Sequence, residues 1–356
     1  MPRWKGMTRF LSLVLLGSTL SAAGHVARDE RELRAVLAGL KSGDVVKIAP
    51  GIYPGGHHVS GVENLTVEAL DKERPPVFEG GRGGWHFSAC PGLVLRLIHV
   101  RGQSVNGINL DEGGAGRPLV KGIRIEGVQV SDIGPSGNHD GIKASGLEGA
   151  VIQDCVITGW GGQGVDLVGC HAVVISGCRF TGKEGFTATA GVQIKGGSSG
   201  VVVEKCRFEN AGERPVNIGG STGMPFFRPQ GAKHEAKDIT VRGNHIEGSL
   251  CAAAFVGVDG ALFEDNTVLY PARWIFRILQ ETRAEGFVPC RGGIVRGNRV
   301  VFRRADIRED VNMSPGVAAE TFRFENNRWF AEDRPLASKP RLPVEETGGE
   351  HGTDPR

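Results

Sequence analysis

Five short stretches place polar residues where a row of chemistry can form: NGINLDEGG (106–114), NHDGIKASG (138–146), GVDLVGC (164–170), GVQIKGG (191–197) and RPVNIGG (214–220). In each, an apolar residue is followed directly by a polar one. Side chains alternate faces along a strand. Ile108, Ile142, Val165, Val192 and Val216 therefore point one way, and Asn109, Lys143, Asp166, Gln193 and Asn217 the other. Lys195 shares the outward face with Gln193, and Arg214 opens the last stretch. Glycines border the row, which lets a ligand approach the backbone. A plain solvated strand face is the bland reading, although such faces usually mix Lys, Glu, Thr and Ser. Lys143 and Asp166 are either a surface ion pair worth little or a base and the partner that orients it. Asp166 with Asn217 and Asn109 is also a candidate oxygen set for Ca²⁺. The row by itself leaves the metal unknown.

The elements that must hold this row are repeats. VIQDCVITG (151–159), VVISGCRFTG (173–182), VVVEKCRFENAG (201–212), ITVRGNHIEG (239–248), ALFEDNTV (261–268), GIVRGNRV (293–300) and FRFENNRWF (322–330) share one pattern. Each is a short alternating strand, a turn residue and a second apolar pair. The turn residue is Cys155, Cys178, Cys206, Asn244, Asn266, Asn298 or Asn327, with weaker copies at Leu70, Ile98 and Val128. Periods of this size mean stacked, quasi-one-dimensional folds. Strand-period runs broken by Gly and Asn, with no helical period inside the repeats, exclude helical solenoids and leave a parallel β-helix. Coils stack about 4.8 Å apart, so Cys and Asn form interior columns. Lys143 and Asp166 each lie twelve residues before their column cysteine, which sets them on adjoining coils; Gln193 lies thirteen before Cys206. Residues 29–41 carry Leu33, Val36, Leu37 and Leu40 at helical spacing and suit a cap over the open N-terminal end. Two long irregular stretches, 219–238 and 270–290, flank the row and hold Phe226, Phe227, Arg228, His234, Arg273, Trp274 and Arg277.

Composition bounds the remaining choices. Glycine, 55 of 356 residues, is about twice ordinary usage, yet no G-X-Y period exists. Arg3, Lys5 and Arg9, then an apolar run, then Ser21-Ala22-Ala23 make a secretory signal over 1–23. Its removal takes the formal charge from +2 to −1. A secreted or periplasmic monomer with no membrane span after cleavage is expected, and the charge gives no support to nucleic-acid binding. The seven cysteines include no C-x-x-C pair, so redox and zinc-ribbon motifs are absent. From Pro335 the chain is Pro-, Glu- and Gly-rich, and 335–356 is expected to be a disordered tail after a β-helix over 24–334.

The capping helix, the opening GDVVKIAPGIYPG (43–55) and the Gly/Asn-punctuated coils resemble secreted right-handed β-helix proteins of the pectate-lyase-like superfamily. The resemblance covers roughly 29–335. It implies an all-β fold, a right-handed parallel β-helix with an N-terminal capping helix, and a long groove that binds polysaccharide. Lyases of this superfamily often use Lys or Arg as base. The expected function is accordingly a polysaccharide lyase that cleaves a uronic-acid-containing glycan by β-elimination. Lys143, Asp166, Lys195 and Arg214 are the catalytic candidates; Asn109, Gln193, Asn217, Arg228 and Arg277 are the substrate-binding ones. NHDGIK (138–143) and GVQIK (191–195) also resemble pieces of polygalacturonases, but the adjacent-aspartate motif of that family is missing. A hydrolase therefore ranks second, and a non-catalytic carbohydrate-binding β-helix third.

Overall fold

A computed structural model describes residues 22–114 and 116–356. The expected signal segment, 1–23, lies almost wholly outside them. The described chain winds into coils whose strands form three long parallel sheets of 13, 10 and 12 strands. Each coil gives one strand to a sheet, and the next coil pairs with it in register. In the 13-stranded sheet one inward column runs through Leu95, Ile125, Ile152, Ile175 and Val203. All five are buried. No helix among the described residues is long and apolar enough to cross a membrane.

The interior turn column is as the repeat predicts from Ile98 onward. Cys155, Cys178 and Cys206 are buried free thiols on successive coils. Each donates weakly to the carbonyl two residues before it, those of Gln153, Ser176 and Glu204. At Cys206 the column changes chemistry: its N–H donates to Oδ1 of Asn244 at 2.9 Å. The Asn244, Asn266 and Asn298 N–H groups then donate to Oδ1 of the asparagine one coil on, at 2.9, 2.9 and 3.0 Å. Each asparagine Nδ2 also donates to a carbonyl, those of Val203, Val241, Phe263 and Val295. Every coil turn thus has its buried polar groups paired, as burial demands. Leu70 does not belong to the column. Residues 70–76 form a longer turn there, and Leu70 is exposed.

Both ends are closed. The helix Glu30–Ala38 starts at Asp29, whose carboxylate accepts from the Glu32 N–H at 2.8 Å. Its Leu33 is fully buried, and Val36, Leu37 and Leu40 pack on the core. A strand the sequence did not announce, Gly24–Ala27, precedes it and pairs with Val45–Ile48. The C-terminal end departs from expectation, because 335–356 is an ordered lid. Glu346 Oε1 accepts from Nδ2 of Asn327 at 2.8 Å and so terminates the asparagine ladder; Oε2 accepts from the Trp329 indole at 2.8 Å. Glu350–His351 adds a strand to Arg328–Ala331. The last coil would otherwise expose an unpaired edge and a buried amide, and the tail satisfies both.

Asn298→Ala removes four side-chain hydrogen bonds at once, two accepted from Asn266 and two donated to Phe263 and Asn327. A buried group left unpaired costs roughly 1–3 kcal/mol, so the variant should lose at least that much in chemical denaturation; an unchanged midpoint would contradict the ladder's role.

Candidate functional site

The 10-stranded sheet carries the row. Its register runs His58, His86, Asn109, Lys143, Asp166, Gln193, Asn217, Ala254, Arg277 and Asn312, one residue per coil. All five outward residues read from the sequence fall on it, including Gln193, and their five apolar neighbours are buried. The strands that matter are Ile142–Ser145, Gln163–Val168 and Ala190–Lys195.

Three of the four catalytic candidates converge. Lys143 Nζ donates to Asp166 Oδ2 at 2.9 Å and to Asp140 Oδ2 at 2.7 Å. Lys195 Nζ lies 3.1 Å from the other Asp166 oxygen. Asp140 is at the corner before the Lys143 strand, off the outward row. It is held by the turn itself: Oδ1 accepts from the Gln163 N–H at 3.0 Å. Gly162 is required beside it, since a Cβ there would sit 2.6 Å from Asp140 Oδ1. Both carboxylate side chains are 0% exposed, whereas the side chains of Lys143 and Lys195 are 30% and 14% exposed. The lysines therefore roof the carboxylates.

The charges follow from this layering. Burial by itself would lower the Lys143 pKa, but Asp166 and Asp140 outweigh it and hold the ammonium protonated well above the ordinary lysine range. For Asp140, desolvation and the charge of Asp166 together push the carboxyl up, against the pull of Lys143. Above the cluster is a cavity of about 240 Å³ lined by Asn138, Lys143, Lys195, Thr222 and Phe226, with Asp166 in its floor between the two lysines, although no part of the Asp166 side chain is solvent-exposed. The loop wall is pinned by Glu235, fully buried, which accepts from the Gly196 and Thr222 N–H groups and from the Thr222 hydroxyl.

The other candidates are distributed differently. Gln193 and Asn217 lie on the row but are nearly covered. Asn109 accepts from Asn106 Nδ2 at 2.9 Å. Arg214 is not part of the lysine cluster; it reaches Asn217 at 3.4 Å and Glu281 at 3.3 Å. Arg228 does not enter the groove from its loop. It is buried against Glu112, with Nε to Oε1 at 2.7 Å, and anchors the 219–238 loop to the coils. Phe227 is fully buried beside it, and Phe226 is the exposed ring. Arg277 lies farther along the row against Trp274. The Ca²⁺ set does not fit. Both Asp166 oxygens face ammonium groups, Asn109 and Asn217 stand two coils away on opposite sides, and no cluster of three acidic, His or Cys ligands exists among the described residues. Desolvation pushes the buried Cys170 and Cys251 thiols up to about 12, which disfavours their thiolates.

One constellation was missed. His86 Nε2 bonds Asp111 Oδ2 at 2.5 Å, Ser88 donates to Asp111 Oδ1 at 2.6 Å, and the His58 ring stacks on His86 with centroids 4.7 Å apart. The signal was available, since His86 and His58 sit one and two coils before Asn109 in the same outward column.

Comparison with known proteins supports the architecture. Residues 106–271 match the family described as right handed beta helix region. The chain is a right-handed parallel β-helix protein. Among solved structures it is similar to an alginate lyase from Paenibacillus sp., at 18% identity over 83% of this chain and 98% of that one, with TM-score 0.54. It is similar to an endo-xylogalacturonan hydrolase from Aspergillus tubingensis at 13% identity over 92% and 100%, TM-score 0.59. The A-module of a mannuronan C-5 epimerase from Azotobacter vinelandii gives 14% over 93% and 97%, TM-score 0.56. At such identities the likeness is one of fold. No curated protein matches the chain in sequence.

The Asp111 contacts yield a pH prediction. Burial pushes its pKa up, but hydrogen bonds from His86, Ser88 and the Gly113 N–H outweigh that and lower it from 3.8 to about 2. A depressed carboxylate contributes stability that is present above its unfolded pKa and lost as pH falls through the folded one. The protein should lose stability between about pH 4 and pH 2, and Asp111→Asn should flatten that limb when unfolding is measured against pH. An unchanged acid limb would exclude the assignment.

Proposed function

We propose that the protein is an exported enzyme that binds a uronic-acid polysaccharide along this face and cleaves it by β-elimination. One observation carries the reading: the groups a ligand meets above the cluster are ammonium groups, because the carboxylates beneath are fully buried. Ammonium groups that face the cavity, with their paired carboxylates covered, suit charge-assisted hydrogen bonds to an anionic sugar chain.

The chemistry divides between the two lysines. Elimination removes the proton α to the uronate carboxyl, forms a double bond in the ring and expels the glycosidic oxygen, which takes up a proton. Neutralising the carboxylate acidifies that α proton. Lys143, held charged by Asp140 and Asp166, is suited to neutralise the carboxylate or to supply the proton to the leaving oxygen. Lys195 leans on one carboxylate only and is the candidate base. Asp166 orients both. The expectation that Lys143 itself is the base is set against its environment, since two carboxylates favour its protonated form.

Hydrolysis is the second reading, favoured by one feature. Asp140 has a raised pKa beside a second carboxylate, the arrangement that separates an acid from its partner. Both carboxylates touch one ammonium, close enough for the roughly 5–5.5 Å separation of a retaining pair. Their burial beneath Lys143 argues against direct contact with a glycosidic oxygen.

The test is to incubate the protein with a panel of uronans and follow both the ultraviolet absorbance of unsaturated products and the release of reducing ends. Absorbance growth supports elimination. Reducing ends without absorbance mean hydrolysis, and retained affinity with neither means a binding protein. Removing a general acid or base typically costs about 10²–10⁴ in rate, so Lys143→Ala and Lys195→Ala should each lower kcat by that order; Lys143→Ala also unpairs the buried Asp140 and should unfold at a lower temperature, so its rate is read where circular dichroism shows it folded. Full turnover in both variants would overturn the site.

A further inference from the structure

Beyond the lysine centre the row carries a second concentration of positive charge. Arg277 lies two coils past Asn217, with Ala254 between them. Ala254 is the one short side chain between two polar residues of the row, and it is fully buried. Arg214 is on the Asn217 strand, and Arg277 is on the strand two coils later, with Ala254 between those strands. Their charges reach each other: loss of water and the charge of Arg214 both lower the pKa of Arg277. Neither guanidinium is well satisfied. The Arg214 Nε is buried with no hydrogen-bond partner, and its two remaining contacts, to Asn217 and Glu281, are long at 3.4 and 3.3 Å. Arg277 uses Nε on Asn312 at 3.0 Å. Its guanidinium carbon and that of Arg273 each lie 4.4 Å from the Trp274 ring centre, which fixes the planes by cation–π contact. The carboxylates nearby, Glu213, Glu281 and Glu309, are all exposed. None is buried with the arginines as Asp140 and Asp166 are with Lys143.

We propose that Arg214 and Arg277 form a second anion-binding subsite of the same face. Its ligand is a carboxylate of the polyuronate chain whose cleaved residue lies at the lysines, so this inference rests on the uronan reading above. Two largely covered guanidinium groups on strands two coils apart, with unused N–H donors, suit the planar, two-oxygen acceptor that a carboxylate supplies. Lys195 and Arg277 stand three coils apart, about 14 Å at the inter-strand spacing. Only a chain of several sugar rings spans both centres. Arg214 is then a binding residue rather than a catalytic one.

The experiment uses a Lys143→Ala background, so that nothing is turned over, and measures calorimetric affinity for hexagalacturonate and digalacturonate. Adding Arg277→Gln should weaken hexagalacturonate about 10- to 100-fold, the usual cost of losing hydrogen bonds to a charged group. Digalacturonate, too short to reach both centres, should be unaffected. Arg277→Lys, which keeps the charge and loses the planar fork, should fall between, and circular dichroism checks that each variant is folded. Equal loss for both ligands, or no loss for either, overturns the subsite. A second measurement separates this claim from the uronan reading: the Arg214 and Arg277 Nε–H resonances of the wild-type protein are followed while inorganic sulfate is added. If sulfate shifts them while no galacturonate binds, the anion subsite stands and the uronan reading falls. If neither sulfate nor hexagalacturonate shifts them, the two arginines bind no anion and the proposal is wrong.

Discussion

Each coil hydrogen-bonds to the next in parallel and in register, and the rest of the molecule depends on that constraint. A residue's place in its own coil decides which residues lie above and below it at about 4.8 Å. Small local choices therefore become long columns. Inward, a cysteine column passes into an asparagine column at Cys206, where a backbone N–H finds the Asn244 carbonyl oxygen in place of a thiol. Outward, single polar residues become the row that runs from His58 to Asn312. The ends of the stack are the places where this repetition must be stopped. The Glu30–Ala38 helix stops it on one side, and Glu346 with the Glu350–His351 strand stops it on the other.

The same register explains how charge can be kept under a groove. Lys143 and Asp166 are paired across adjoining coils, and Lys195 comes one coil later from the next outward position of its strand. Asp166 thus lies between two ammonium groups without any loop having to bring them together. Burying two carboxylates costs several kcal/mol per ion unless they are paired. The lysines supply that pairing and in turn are held in one orientation toward the cavity. A pair of lysines over a covered carboxylate layer is a different device from an open pair of acids, and the proposal of an anionic ligand rests on that difference.

Much of this was legible because it is periodic. The Cys and Asn turn residues, and the alternation that sets Lys143, Asp166 and Gln193 outward, all repeat, so each copy checks the others. What was not legible depends on contacts between distant, non-repeating parts. Leu70 fits the spacing but sits in a longer turn, and length alone does not reveal that. Arg228 looked like a groove residue because it is on a long loop; its partner, Glu112, is 116 residues away. Asp140 sits at a coil corner, off the alternating outward column, yet the lysine side chain is long enough to reach back to it. The tail has the composition of a disordered segment, but one glutamate on it finishes the asparagine ladder. His86 and Asp111 were each visible, and only the register of an additional coil joins them.

The central claim is that ammonium groups, not carboxylates, meet the ligand. A crystal structure with a bound oligogalacturonate tests it directly. The account predicts a sugar carboxylate within hydrogen-bond distance of Nζ of Lys143 or Lys195, with Asp140 and Asp166 still covered. A sugar whose glycosidic oxygen instead touches Asp140 or Asp166, or one bound away from this face, would contradict it.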